Sequence, residues 1–100
     1  MAPTRPPYRS EAALERACVA YSKTWGCWAL KLWPTVAGLP DRLLLYPDGN
    51  VRFIEFKQPG RGVSPVQRHV HAQLAGLHHQ VLVIDNLRDF KVLVSDWLDR

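Results

Sequence analysis

The chain has 100 residues, of which 47% are hydrophobic and 22% charged, and its 13 Lys and Arg against 9 Asp and Glu give a formal net charge of +4. This length and apolar content suit one compact domain, exclude a disordered chain and leave little room for a second core. There is no apolar run near the roughly 20 residues of a membrane span and no apolar centre of a signal peptide, so we expect a cytoplasmic protein.

The excess of basic over acidic residues is local to one stretch of the sequence. Residues 56–84 contain no acid, and they hold Lys57, Arg61 and Arg68 together with all four histidines. A surface built from this stretch would attract a polyanion such as nucleic acid. The alternative is an ordinary globular protein with a modest positive charge.

The amino-terminal half predicts an arm and then a helix. Residues 1–9, with three prolines and two arginines, indicate a flexible arm before a domain spanning 10–100. Ser10 is a suitable N-cap, and apolar residues then recur at helical spacing until Gly26. Glu11 and Glu15 lie on one flank of this apolar stripe, one helical turn apart.

Three strands are predicted next, two of them joined by a hairpin. Residues 27–33 have the apolar density of a strand, and the segments 42–46 and 51–57 flank the turn sequence PDGN. A three-residue loop with Gly49 in the left-handed conformation places Asp41 opposite Glu55, so that both side chains share a face. A two-residue loop would instead place Asp41 opposite Phe56.

The carboxyl-terminal half predicts helix, strand and helix. Ser64, Pro65 and Gln67 form a capping signal for the second helix. The segment QVLVI is a short strand, parallel to the one that ends near Lys57. Asn86 can cap a last helix, in which Trp97 or Leu98 faces inward. The element order α-β-β-β-α-β-α indicates an α/β fold, with helices flanking a small, mixed four-stranded sheet.

The hairpin brings together residue types that suit metal-assisted hydrolysis. Asp41 and Glu55 offer oxygen ligands to a hard divalent cation such as Mg²⁺, and Glu15 could be a third. Lys57 falls on the same face as Glu55, where it can assist a water and stabilise charge on a phosphate. A plain salt bridge between Glu55 and Lys57, with Asp41 only starting a strand, is the structural alternative.

The same residues carry a family resemblance. PD at 40–41 followed by EFK at 55–57 matches the pattern of the PD-(D/E)xK nucleases. The stretches ALER, GLPDRLLL, VRFIEFKQPG, SPVQ and HQVLVID, in this order over about residues 10–98, resemble the VRR-NUC (virus-type replication-repair nuclease) family. The resemblance implies a restriction-endonuclease-like domain that uses Mg²⁺ or Mn²⁺.

Carried onto this sequence, the resemblance implies roles for particular residues. The metal-facing acids would be Glu15, Asp41 and Glu55, with the carbonyl of Phe56 as an extra ligand, Lys57 as the catalytic lysine and Gln67 as a polar residue of the site. Glu11 is an alternative to Glu15, and Gln67 can equally serve only the helix cap. A zinc site of the histidines is disfavoured, because His69 and His71 point to different sides of a helix.

The resemblance also implies a substrate. We expect a structure-selective endonuclease, in a bacterial or phage-infected cell, that cuts branched, junction or flap DNA and acts as a homodimer. The residues expected to contact nucleic acid are Arg61, Arg68, His71, Trp33 and, in the arm, Arg5 and Arg9. The alternative is a binding module that keeps the nuclease fold without catalysis, and cleavage of RNA stays open.

Overall fold

The described chain folds as a four-stranded sheet with three helices. The computed structural model describes residues 10–98, and for residues 97 and 98 it describes the backbone alone. The elements in chain order are α1 (Glu11–Thr24), β1 (Trp28–Lys31), β2 (Arg42–Leu45), β3 (Val51–Phe56), α2 (Pro65–Gly76), β4 (Val81–Ile84) and α3 (Leu87–Leu98). The predicted order is confirmed. The predicted arm and the packing of Trp97 or Leu98 lie outside the described residues.

The sheet is mixed, as expected. Its strand order is β1-β2-β3-β4, in which β1, β2 and β3 are antiparallel neighbours and β4 runs parallel to β3. The parallel pair follows from α2, since a helical crossover returns the chain to the same end of the sheet. No helix in residues 10–98 is long and apolar enough to cross a membrane.

The hairpin between β2 and β3 has the predicted three-residue loop. Tyr46 N–H donates to the carbonyl of Asn50 at 2.9 Å, and Gly49 N–H donates back to the carbonyl of Tyr46 at 3.0 Å. Gly49 has a φ of 91°, in the left-handed region that favours glycine. The resulting register pairs Arg42 with Ile54 and Leu43 with Phe53, which is the register expected from the turn.

All three predicted helix caps are present. The hydroxyl of Ser10 accepts from Ala13 N–H, and the side chain of Asn86 accepts from Asp89 N–H. At α2 the capping box is complete: Ser64 Oγ accepts from Gln67 N–H at 3.1 Å, and Gln67 Oε1 accepts from Ser64 N–H at 2.9 Å. These bonds satisfy backbone donors that have no partner inside a helix.

The two faces of the sheet are covered unequally. One face packs against α1 and α3 and holds the buried core, which includes Leu14, Cys18, Leu44, Ile54, Phe56, Ile84, Phe90 and Val94. Each of the aliphatic and phenylalanine side chains among them contributes about 1.5–3 kcal/mol when it leaves water. On the other face α2 contributes one buried hydrophobic residue, Val70. Stability therefore comes mainly from the first face, and the second is available for a site.

The loop between β1 and β2 touches the start of α2 at Gly38. This glycine has a φ of +88°, and a Cβ built on it would lie 2.7 Å from the carbonyl oxygen of Val66. Both facts require a residue without a side chain, because the backbone of the helix cannot move aside as a flexible side chain would. The contact holds the segment that leads into Asp41 against α2.

We expect Gly38→Ala to lower the free energy of unfolding by at least about 1–2 kcal/mol, the cost of a left-handed backbone at a residue with a side chain. Thermal unfolding measures the loss, at about 4–8 °C in Tm for each kcal/mol in a domain of this size. Gly62→Ala is the matched control, since a Cβ there meets nothing within 4 Å. Equal Tm values for the two variants would contradict the proposed close contact.

Candidate active site

Asp41 stands just before β2, held by the backbone of both neighbouring strands. Its N–H donates to Ile54 O at 3.0 Å, and its own carbonyl accepts from Leu32 N–H at 3.0 Å. Its carboxylate accepts from Phe56 N–H at 2.8 Å. Two backbone hydrogen bonds therefore fix the main chain of Asp41, and a third holds its carboxylate beside β3.

Glu55 lies on the same side of the sheet, beside Asp41, as the register predicts. Only 2% of the residue is exposed. Burial raises the pKa of Glu55 to about 8, the charge and hydrogen bonding of the Asp41 carboxyl add to this rise, and the ammonium of Lys57 opposes it. Two adjacent carboxyl groups in a dry setting do not both ionise without a compensating cation.

Lys57 follows β3 and lies beside Glu55. Its backbone N–H donates to Ile84 O at 2.9 Å, which extends the contact between β3 and β4 by one residue. Its charge lowers the pKa of both Glu55 and His71, so the ammonium is near both side chains. The structure thus brings Asp41, Glu55 and Lys57 together.

Glu15 of helix α1, expected as the third acid of the site, has other partners in the structure. Glu15 Oε2 accepts from Arg42 Nε at 2.6 Å and pairs with Lys31 Nζ at 3.5 Å. Since side chains alternate along a strand, Arg42 points to the opposite face from Asp41. The structure therefore does not bring Glu15 to the other two acids.

Glu11, one turn earlier in α1, lies closer to the acid pair. Its Oε1 accepts from Gln58 N–H, one residue beyond Lys57, at 3.4 Å. Its charge also raises the pKa of Glu55. Sequence spacing allowed either glutamate, and the packing of α1 against the sheet selects Glu11 as the neighbour of Glu55.

The donor set fits a hard cation with several water ligands. Within residues 10–98 no three His, Cys, Asp or Glu side chains are arranged as a metal site. However, Oε1 of Glu55 is buried and has no hydrogen-bond partner in the described structure, next to a second carboxyl group. Mg²⁺ commonly binds to one or two carboxylates and keeps its remaining waters, so the pair is sufficient.

Two residues of α2, Gln67 and His71, were expected at or beside the site. Oε1 of Gln67 is engaged in the helix cap, which is the structural alternative weighed above. The side chain of His71 is only 14% exposed, and its Nε2 lies 3.6 Å from Oε1 of Glu55. Burial and then the charge of Lys57 lower the pKa of His71. The sequence placed His71 on the face of Gln67 and did not reveal its contact with Glu55.

A basic groove adjoins the site along α2. It is open, has a volume of about 630 Å³, and is lined by residues that include Arg52, Arg68, His71, His78, His79 and Gln80. No acidic side chain of the described residues lines it. The sequence predicted Arg68 and His71 as contacts for nucleic acid, but it did not predict the turn of residues 78–80. The pair of adjacent histidines in this turn was the available signal.

Two other residues expected to contact nucleic acid are on the surface. Arg61 is exposed in the loop after β3. Trp33 is 74% exposed in the loop before Asp41, so its ring is available for stacking. The predicted contacts of Arg5 and Arg9 lie outside the described residues.

Comparison with known proteins adds independent findings. No family model matches the chain. The chain is 39% identical over 77 residues to "Putative nuclease p44" of Acyrthosiphon pisum secondary endosymbiont phage 1, covering 76% of this chain and 83% of that protein. A solved structure described as "VRR_NUC domain" matches with a TM-score of 0.78 at 22% identity, over 85% of this chain and 94% of that chain, and so has the same fold.

We expect Glu55→Gln to stabilise the metal-free protein more at pH 9 than at pH 5. The folded pKa of Glu55, about 8, lies above the ordinary value of 4.5. The stability that its proton contributes is complete below the ordinary value and is lost as the pH rises through the folded one. Gln does not titrate, so the variant avoids this loss.

Thermal unfolding in chelator at both pH values tests this prediction. The gain in Tm of Glu55→Gln over the wild type should be larger at pH 9 by at least about 4–8 °C, the effect of 1 kcal/mol in a small domain. Asp96→Asn, an exposed acid of α3, is the control and should show no such change. A gain that is equal at the two pH values would show that Glu55 is not buried as described.

Proposed function

The chain belongs to the VRR-NUC family of nucleases, and from this membership we propose that it is a divalent-metal-dependent, structure-selective DNA endonuclease that hydrolyses phosphodiester bonds in branched or junction DNA. The observation that carries the proposal is the buried carboxyl pair of Asp41 and Glu55, with Lys57 beside it. A protein that only bound DNA would gain nothing from two acids next to phosphate, because they repel it.

Asp41 and Glu55 would hold a Mg²⁺ or Mn²⁺ ion, since carboxylate oxygens and waters suit these hard cations. When bound, the ion would lower the pKa of a water and polarise the scissile phosphate. Asp41 is oriented for this role by the N–H of Phe56. The carbonyl of Phe56, which stands between Glu55 and Lys57 in the chain, is proposed as a further ligand.

Lys57 would act on the phosphate and the attacking water. The residue is half-buried and its charge acts on Glu55, so a positive charge at this place would stabilise negative charge that builds on phosphate during the reaction. The low exposure of the site strengthens this effect, because less water screens the charge. Lys57 can also orient the water or take part in its deprotonation.

We assign the helix-one acid of the site to Glu11 rather than Glu15. Glu11 reaches the backbone just beyond Lys57 and acts on the pKa of Glu55. Glu15 is held by Arg42 and Lys31 and serves to anchor α1 on β1 and β2. Gln67, whose amide oxygen completes the cap, has a smaller role in this scheme than the family resemblance implied.

The basic groove and the exposed loops support DNA as the partner. Arg68 in the groove and the exposed Arg61 after β3 would contact the sugar-phosphate backbone, and the exposed Trp33 would stack on a base. Backbone contacts carry no sequence information, so selection by DNA structure fits better than selection by base sequence. Branched substrates of this kind arise in replication and repair.

We also propose that the protein acts as a homodimer. Apolar side chains of the edge strand β4 and of α3 are exposed beside each other, namely Val83, Val92 and Leu93. A second copy would remove this apolar surface from water. Light scattering should give twice the chain mass of 11.4 kDa, and a monomer at micromolar concentration would contradict the pairing.

The central test is cleavage of labelled DNA. With Mg²⁺ or Mn²⁺ the protein should cut four-way junction or flap DNA faster than plain duplex, and it should cut nothing in chelator. Glu55→Gln and Lys57→Met should each lower the cleavage rate about 10²–10⁴-fold while DNA binding persists, because such groups act on the reaction rather than on affinity. Lys23→Met, at an exposed lysine of α1, is the control.

The outcomes separate the enzyme from its main alternative. A binding module would bind DNA equally well in chelator and cut none of the substrates at any metal concentration. Cleavage that is unaffected by Glu55→Gln would place the chemistry elsewhere in the molecule. Cutting of RNA alone would change the substrate class and leave the site assignment standing.

The two helix-one glutamates give opposite phenotypes in our scheme. Glu11→Gln should reduce cleavage and Mn²⁺ affinity with little change in Tm. Glu15→Gln should cost about 1.5–3 kcal/mol of stability, since it removes a charged hydrogen bond to the partly buried Arg42, and should leave cleavage intact. If the Glu15→Gln protein folds but does not cut DNA, Glu15 rather than Glu11 is the helix-one acid of the site.

Arg68→Gln should weaken the binding of branched DNA in chelator about 3- to 10-fold at low salt, on the order of one lost phosphate contact. The slope of log affinity against log salt should fall by about one unit. Arg88→Gln is the matched control on α3. If both variants bind alike, the groove is not part of the DNA path.

A further inference from the structure

Two buried polar atoms face each other at the site without a hydrogen bond. Nε2 of His71 and Oε1 of Glu55 are 3.6 Å apart, just beyond hydrogen-bond distance. Neither has another partner in the part of the chain that the structure describes. A buried polar atom normally has one, because burial removes the water that would otherwise serve. A small side-chain rotation would bring the two atoms within hydrogen-bond distance and so give each of them a partner.

The backbones that carry these side chains are firmly placed. Glu55 lies in β3, between β2 and β4, opposite Val83 of β4. Helix α2 is held by its capping box, by the buried Val70 and by the close contact of Val66 with Gly38. The distance between His71 and Glu55 is therefore set by the fold, and the remaining adjustment is in two side chains.

The two acids differ in how they are held. The carboxylate of Asp41 accepts a backbone N–H from Phe56, whereas Oε1 of Glu55 receives no hydrogen bond within residues 10–98. The Asp41 carboxyl acts on Glu55 by charge and by hydrogen bonding, and Lys57 and Glu11 act on it by charge. The ring of His71 is the group that lies at Oε1. A carboxylate that binds a metal is usually oriented by such an outer hydrogen bond.

We propose that His71 is the positioning residue for Glu55: its Nε2–H donates to Oε1 of Glu55 and orients that carboxylate for the cation. The proposal rests on the metal-dependent function above and deepens it. Held in this orientation, the carboxylate of Glu55 would share the cation with its neighbour Asp41. No proton or electron is transferred; the contact fixes an orientation.

This role replaces the contact with DNA that the sequence indicated for His71. Its side chain is 14% exposed, whereas His78 and His79 of the same groove are exposed. A phosphate in the groove would meet those two residues and Arg68 before it met Nε2 of His71. His71 thus lies in the wall between the groove and the acid pair.

The test compares metal binding, DNA binding and cleavage in the full chain. His71→Leu removes the donor, His71→Gln keeps an N–H donor on a flexible side chain, and His69→Leu is the control at an exposed histidine two residues away. Isothermal titration of metal-free protein with Mn²⁺ measures the affinity without DNA. Binding of junction DNA is measured in chelator, and kcat and KM are measured over a range of Mn²⁺ concentrations.

We expect His71→Leu to weaken Mn²⁺ binding about 10- to 100-fold, the usual effect of losing an outer-shell partner. The loss in kcat should be greatest at low Mn²⁺, with KM for DNA and binding in chelator unchanged. His71→Gln should recover part of the Mn²⁺ affinity, and His69→Leu should match the wild type. If His71→Leu does not fold, a Mn²⁺ affinity of His71→Gln below that of the wild type supports the same role for His71.

Other results overturn the proposal. Equal Mn²⁺ affinity in the wild type and His71→Leu, in a protein that binds Mn²⁺ and cuts DNA, defeats it while the proposed function stands. Weaker DNA binding in chelator with unchanged Mn²⁺ affinity would make His71 a DNA contact. A wild-type protein that neither binds Mn²⁺ nor cuts DNA defeats the proposed function itself and this inference with it.

Discussion

The acid pair depends on the length of the loop that joins β2 and β3. Side chains alternate along a strand, so a loop one residue shorter would turn Asp41 to the face opposite Glu55. The bonds of Tyr46 with Gly49 and Asn50 exclude that register. A turn at one end of the hairpin thus decides whether two carboxyl groups can meet at the other end, five residues along the strand from Tyr46 to Asp41.

The two faces of the sheet divide stability from chemistry. The face under α1 and α3 carries the apolar core, and the face under α2 carries a buried carboxyl group whose pKa is raised to about 8. Such a group lowers stability at neutral pH, and a domain of 100 residues tolerates it because the core is on the other side. Natural proteins commonly give up some stability at the site where they act.

Helix α1 shows how one element can serve both purposes. Glu15 pairs with Arg42 on the core face and ties the helix to the sheet, while Glu11, one turn earlier, reaches the backbone next to Lys57. The ion pair of Glu15, together with the buried Leu14 and Cys18, holds α1 on the sheet and so places Glu11. In α2, the cap and the contact with Gly38 hold the helix that carries His71, whose Nε2 lies 3.6 Å from Oε1 of Glu55.

The amino-acid sequence alone determined the order of the elements, the helix caps, the hairpin register and the meeting of Asp41, Glu55 and Lys57, because turn chemistry and alternation are local properties of the chain. It did not choose between Glu11 and Glu15 or reveal the contact of His71 with Glu55. Periodicity tells which face of a helix a residue occupies, but not which strand that face will meet. Only the packing of α1 and α2 on the sheet, through contacts distant in sequence, decided those neighbours.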